Sequence, residues 1–173
     1  MDEPEIEVRI RNAGPEDKEQ VRNVLAAAFE GDAEADLTEA LIENGDAEYA
    51  LVAEAAGHLI GIAVFSRLAV SKGDRDIRAL ALAPVGVHPE LQGLGIGTGL
   101  VAGGLALAER DKWDTVIVLG DPDYYSRLGF TVTAAAAIDC PYSGPNLSAW
   151  VLPGTTLPEK VVVRYPDPFH SLN

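Results

Sequence analysis

The feature that most constrains this chain is a strand-like run that ends in a glycine-rich turn and continues as a helix. The segment reads Val85-Gly86-Val87-His88-Pro89-Glu90-Leu91-Gln92-Gly93-Leu94-Gly95-Ile96-Gly97-Thr98-Gly99-Leu100. A strand from about Asp76 to Val87 precedes it, a helix from about Gly97 to Arg110 follows, and a short strand spans Thr115–Leu119. Together these form a β-loop-α-β unit. Its helix start exposes unpaired N–H groups and the positive end of the dipole, so the loop can hold phosphates. Glycine lets the backbone turn sharply and come close to ligand oxygens. Two phosphate signatures are excluded. Walker A needs Gly-Lys-Ser/Thr, and no lysine is near. Gly95-x-Gly97-x-x-Leu100 and Gly93-x-Gly95-x-x-Thr98 both lack the third glycine of a dinucleotide loop. Pro84 sits inside the strand that leads into the loop, where it deletes a ladder donor. A bulge, or a place where neighbouring strands part, accommodates it and leaves main-chain groups free for a ligand.

The rest of the chain supplies strands first and helices around them. Glu7–Asn12 alternates as a half-buried strand does, and Gly14-Pro15-Glu16-Asp17 offers a helix start. Val21, Val24, Leu25, Ala28 and Phe29 follow at helical spacing, and a second helix is expected over Glu34–Asn44. Tyr49–Glu54 and His58–Leu68 read as strands joined by a turn at Ala55-Ala56-Gly57, with another turn at Lys72-Gly73-Asp74. After Leu119 come a short helix around Pro122–Leu128 and a strand from Phe130. The tail from Pro141 is rich in Pro and Gly, with strand candidates near Ala149–Leu152 and Lys160–Arg164. The 173 residues, 47% of them hydrophobic and 23% charged, suit one globular domain. Its core is expected over about 8–135, with an extension over 141–173. The class is α/β or α+β with a mixed sheet.

Charge and cysteine usage narrow the partners. Thirteen basic against twenty-seven acidic residues give −14, which argues against nucleic-acid binding by counterion release. No apolar run is long enough to span a membrane, and Met1-Asp2-Glu3-Pro4-Glu5 is acidic where a signal peptide needs positive charge. One cysteine, Cys140, makes neither an internal disulfide nor a zinc site, and no His/Asp/Glu spacing suggests another metal. A cytoplasmic setting is the simplest expectation. The acidity is uneven: residues 1–54 hold sixteen acids and four bases, net −12. Between Phe29 and Glu48 there are eight acids and no base. One reading is a solvated helix face that aids solubility. The other is the acidic lip of a site for a cationic substrate, with Glu30 and Asp36 as substrate-binding candidates.

Gln92-Gly93-Leu94-Gly95-Ile96-Gly97 resembles the Q/R-x-x-G-x-G/A signature of the GNAT superfamily of N-acetyltransferases, which binds the pyrophosphate of acetyl-CoA. Val85-Gly86-Val87-His88-Pro89 is similar to the strand end that leads into that loop. Tyr125-Ser126-Arg127-Leu128-Gly129-Phe130 resembles the family's Tyr-x-x-x-Gly-Phe segment, at the right interval. Val118–Phe130 and the tail further resemble a YhbS-like branch of the superfamily. Two departures stand out. The connection Gly120-Asp121-Pro122-Asp123 is short and lacks an asparagine that many members carry. The late segment Asn146-Leu147-Ser148-Ala149-Trp150 replaces aromatic and methionine residues of the branch. The resemblance implies a central, mixed, mostly antiparallel sheet flanked by helices.

It also implies a chemistry: an acetyl group moves from the thioester of acetyl-CoA, a co-substrate, to a primary amine by direct attack, with no metal. The implied cofactor contacts are Val85, Gly86, Val87, Gln92, Gly93, Leu94, Gly95, Ile96, Gly97 and Thr98. A main-chain N–H near Val87 would face the thioester carbonyl. Tyr125 is similar to the family's proton donor to the departing thiolate, a role that a phenol with its proton in place at neutral pH suits. Tyr124 is the neighbouring rival. The general base stays open among Glu30, Asp36, Glu54 and a water relay. His88 sits where the superfamily is variable, and nothing near Cys140 activates it as a nucleophile. The acceptor is a small-molecule or peptide amine. If the acidic lip is functional, a polyamine, an aminoglycoside-like amine or a basic peptide end is expected. A homodimer is left open. Two other classes compete: a catalytically weak acetyl-CoA sensor, and an interaction domain that uses its acidic helices.

Overall fold

In the computed structural model, which describes residues 7–71, 73 and 75–172, the chain begins with strand β1 (Val8–Asn12). A 3-10 turn at Pro15–Asp17 leads into helices α1 (Lys18–Phe29) and α2 (Ala33–Glu43). The hairpin of β2 (Ala47–Ala55) and β3 (His58–Arg67) follows, then a two-residue β4 (Ala69–Val70) and β5 (Ala79–Val87). Helix α3 (Ile96–Arg110), β6 (Thr115–Leu119), and the short helices α4 (Pro122–Ser126) and α5 (Val132–Ala135) come next. β7 (Ile138–Asp139), β8 (Leu147–Val151), β9 (Val161–Arg164) and a 3-10 turn over Asp167–Leu172 complete the fold.

Six strands form one sheet in the order β1-β2-β3-β5-β6-β8, antiparallel at every pairing except β5 with β6. The β2–β3 turn has positive φ at both central residues, 50° at Ala56 and 80° at Gly57, which matches the twist of a two-residue hairpin. β3 is buried on both faces, so its side chains divide by parity. Ile62 and Val64 meet Leu25 of α1 and Leu41 of α2, whereas Ala63 and Phe65 meet Leu100 and Val101 of α3. Two cores thus lie on opposite sides of one sheet. Both helical layers approach through glycine. A Cβ at Gly86 would lie 2.9 Å from Leu25 Cδ2, and one at Gly104 would collide with the Phe65 ring.

Pro84 marks where the sheet opens. β5 and β6 pair from Ala79–Thr115 to Leu82–Val118, and pairing stops there. On the other side, Ala63 opposes Val85 but Phe65 opposes Leu82, so Ala83 and Pro84 bulge opposite Val64. The missing N–H of Pro84 falls within this bulge, and the β5 edge beyond Leu82 is left without a partner strand.

Several expectations need correction. The strand expected from Asp76 begins at Ala79. The strand expected from Phe130 is instead a single bridge, Thr131 to Ala149, followed by α5. There the Thr131 hydroxyl accepts from the Ala134 N–H and caps a run of alanines, so capping and helix propensity override the β-branched residues. In the small sheet β4-β9-β7, β9 falls on the strand candidate near Lys160–Arg164, whereas β4 and β7 were not legible, because two-residue strands carry no period. In the turn at Lys72-Gly73-Asp74, Lys72 and Asp74 lie outside the described residues, as does the acidic start of the chain. The segment from 141 supplies β8 to the main sheet and packs its final turn on α2. Among the described residues no helix is long and apolar enough to cross a membrane.

Candidate active site

The loop between β5 and α3 is held in shape by its own polar groups. The Gln92 Nε2 donates to the Val87 carbonyl at 3.0 Å, which ties the loop back to the strand end. His88 Nδ1 accepts the Glu90 N–H at 3.2 Å and starts a 3-10 turn at Pro89–Leu91. Its side chain is therefore engaged as a cap. Gly93 and Gly95 have φ of 81° and 83°, a left-handed conformation that glycine adopts without strain. Gly95 is the residue from which α3 departs, so the N–H groups of the first helical turn open onto the loop. A Cβ at Gly97 would lie 3.4 Å from the Tyr124 hydroxyl and 3.6 Å from Val87 Cγ2.

These groups border a cavity of about 460 Å³. Val85, Val87, Gln92, Gly93, Gly95, Ile96, Gly97 and Thr98, all expected from the sequence, line it. Gly86 and Leu94 do not. Gly86 turns its side-chain position toward α1, and Leu94 is 67% exposed. Arg127 also lines the cavity and is the charged residue there among the described ones. In a chain of net charge −14, a cavity lined by a helix N-terminus and a guanidinium, with no carboxylate in its lining among the described residues, suits an anion such as a pyrophosphate. Among the described residues no cluster of His, Cys, Asp and Glu could hold a metal ion.

Helix α4 carries Tyr124 and Tyr125. It starts where Asp121 accepts the Asp123 N–H at 3.0 Å, with Pro122 in the first turn. The Tyr124 hydroxyl shares a hydrogen bond of 3.1 Å with the Thr98 hydroxyl, at the loop. The Tyr125 ring packs edge-on against Tyr124, with centroids 4.9 Å apart, and against Phe130 at 5.6 Å. A Cβ at Gly120 would lie 2.8 Å from Tyr125 Cε2, so only glycine leaves room for the ring there. Burial, with a smaller contribution from Tyr124, pushes the Tyr125 phenol up to about 12. The proton therefore stays on the oxygen throughout the neutral range.

A second cavity of about 420 Å³ opens between α1, α2 and the C-terminal segment. Val85 and Tyr125 line both cavities. Their meeting point is where β5 and β6 part. The second cavity takes Phe29 from α1, Glu34 and Leu37 from α2, and Leu119 from the end of β6. Tyr142, Tyr165 and Phe169 close it from the C-terminal segment.

Glu30 and Asp36, expected to meet the substrate, line neither cavity. Glu30 ends α1 in a left-handed conformation, and Asp36 is bonded to Arg22 at 2.7 Å. The acid at the cavity wall is Glu34. Glu54 is paired with Arg11 at 2.8 Å, and Cys140 also lines neither cavity. Arg127 and the three C-terminal aromatics were not expected as site residues from the sequence, although Arg127 lies between Tyr125 and Phe130 and Tyr142 and Tyr165 lie in the tail that carries the resemblance. Glu34 was legible only as one member of the acidic run between Phe29 and Glu48.

Residues 9–133 match the family model described as the acetyltransferase (GNAT) domain. The chain is 35% identical over 136 residues to the uncharacterized N-acetyltransferase YhbS of Escherichia coli strain K12, across 78% of this chain and 80% of that one. The crystal structure of Escherichia coli YhbS in complex with CoA is similar with a TM-score of 0.85 and 29% identity, across 100% of this chain and 97% of the other. A GNAT family acetyltransferase from Brucella melitensis, in complex with acetyl-CoA, gives 0.78 and 28%, across 95% and 99%.

Proposed function

The chain belongs to the GNAT family of N-acetyltransferases, and from that premise we propose that it transfers acetyl from acetyl-CoA to a primary amine by direct attack, with Tyr125 as the proton donor. The observation that carries the proposal is the meeting of two cavities at Val85 and Tyr125. One has the character of an anion cradle, the other of a pocket for an organic body. Acetyl-CoA supplies a thioester whose C–S bond breaks as the amide C–N bond forms, leaving the thiol and releasing a proton from the ammonium form of the amine.

The chain's own residues do the rest. The first-turn N–H groups of α3 and Arg127 hold the phosphates. The β5 edge beyond Leu82 offers main-chain groups to an extended arm, as an added strand would use them. Tyr125 presents its proton where the two cavities join, and the proton shed by the attacking nitrogen restores it. The amine enters from the α1–α2 side as a cation and loses its proton to the carboxylate at the wall or to water.

The test is thiol release from acetyl-CoA with a panel of primary amines, beside calorimetry of acetyl-CoA alone. Release that depends on both substrates is expected. Tight acetyl-CoA binding with no release from any amine would favour a sensor, and no acetyl-CoA affinity would remove the assignment altogether.

A further inference from the structure

We infer that the acceptor is an aryl-alkylamine: one ammonium group on a short linker from an aromatic ring, seated between Glu34 and the aromatic wall built by the C-terminal segment. This rests on the transferase reading above and names its substrate class.

The charge in the cavity limits the acceptor first. Glu34 is the one carboxylate lining it among the described residues. The acids that follow on α2 are engaged elsewhere. Asp36 and Glu39 each lie 2.7 Å from Arg22, and Glu39 and Glu43 lie 2.9 and 3.3 Å from Lys18. The acidic run of the sequence therefore brings a single negative charge to this wall. A polyamine would find no second carboxylate in the lining for its further ammonium groups, and any of them drawn in from solvent would be desolvated without a partner, which is unfavourable. One ammonium opposite one carboxylate leaves no such remainder.

The shape and lining select the body that carries the amine. A volume of about 420 Å³ is in the range of small-molecule sites. Tyr142 and Tyr165 meet nearly at right angles, with centroids 4.9 Å apart, and Tyr165 and Phe169 meet edge-on at 5.0 Å. A ring entering this array extends an edge-to-face series, and a cation beside it gains from the ring faces. Phe29 and Leu119, also at the cavity, are 41% and 51% exposed. Such large apolar side chains at a cavity mouth are what a bound apolar body would cover. Tyr142, Tyr165 and Phe169 lie beyond residue 133, where the family match ends. The segment after the shared domain thus builds the aromatic part of the acceptor site.

The experiment compares 2-phenylethylamine with spermidine on the full chain, by calorimetry and by thiol release. 2-Phenylethylamine is expected to bind more tightly than spermidine by about tenfold or more. Glu34→Gln should weaken 2-phenylethylamine by about tenfold, the scale of losing a charged hydrogen-bond partner, and leave acetyl-CoA affinity unchanged. Tyr142→Ala, at a half-buried position, should weaken 2-phenylethylamine more than it weakens methylamine. Spermidine bound or acetylated in preference, or a Glu34→Gln variant with undiminished affinity for 2-phenylethylamine, would overturn the inference while the transferase reading stands. Selective binding of 2-phenylethylamine without acetylation would uphold the ligand class and overturn the transferase reading instead.

Discussion

Tyr124 and Tyr125 are neighbours with the same side chain, and α4 gives them different surroundings. The Tyr124 hydroxyl is tied to Thr98 at the glycine loop, whereas the Tyr125 ring is wedged against Phe130 over Gly120 and faces both cavities. Tyr125→Phe removes one oxygen and little volume. It should lower turnover by about 10²-fold, the usual scale for losing a general acid, with acetyl-CoA affinity intact by calorimetry. Tyr124→Phe should instead raise the Michaelis constant for acetyl-CoA and leave turnover nearer the parent value. Loss of turnover in Tyr124→Phe alone would reverse the assignment. The pH profile follows from the same burial. A donor pushed up to about 12 stays protonated on the alkaline side, so its loss would appear only near that pH. The rate should therefore rise with pH as the amine loses its proton and show no downturn through about pH 10. A descending limb between neutrality and that value would implicate another acid.

At the scale of elements, α3 combines a glycine-shaped start with a glycine-shaped contact to the sheet. The two needs differ physically. Gly95 has open space around its side-chain position but a φ of 83°, so any side chain there is strained by the backbone. At Gly97 the backbone is ordinary, and the side chain would grow toward the Tyr124 hydroxyl and Val87, across the cavity. Gly95→Val and Gly97→Val should both abolish acetyl-CoA binding in calorimetry while keeping a cooperative unfolding transition. Gly95→Val should unfold at a lower temperature than Gly97→Val, because strain of about 1–3 kcal/mol accompanies only the former. Undiminished affinity in both variants would remove this loop from cofactor binding.

Over the whole molecule, the helical layer that borders the second cavity is anchored to the sheet at a few points. Asp17, buried at the turn before α1, accepts two hydrogen bonds from Arg11 of β1, at 2.7 and 2.9 Å, and one from the Gly14 N–H. Arg11 also holds Glu54 of β2. The Arg11 guanidinium, opposed by burial and aided by the Gly14 N–H, keeps the Asp17 carboxyl below its ordinary value of 3.8. The folded state therefore binds this proton less readily than the unfolded chain. Its contribution to stability is complete above the ordinary aspartate range and disappears as pH falls through the depressed folded value. Asp17→Asn should lower the melting temperature at pH 7, and the gap to the parent should close as the pH drops below 3.8. A gap independent of pH would show that packing at the turn, and not the carboxylate charge, ties the layers.

What the sequence alone determined is what depends on short range. The β-loop-α-β unit was legible because glycine spacing and helical period are local signals, and so were the β2–β3 turn and the placement of Tyr125 on a short helix. Most of the residues that line the cavity at the glycine loop came with that unit, since they are close together along the chain. Tertiary structure decided the remainder. Acids recur every few residues from Glu30 to Glu43, and only the docking of α2 on the sheet turns Glu34 to the cavity while Arg22 and Lys18 take up the acids beyond it. Tyr142, Tyr165 and Phe169 share no period or motif; they converge because β9 pairs with β4 and β7 and the last turn packs on α2. The gap between β5 and β6 was hinted at by Pro84, but its place follows from where parallel pairing ends at Leu82 and Val118. A local pattern specifies which conformation a segment prefers, whereas which of its side chains share a cavity depends on packing between segments far apart in the chain.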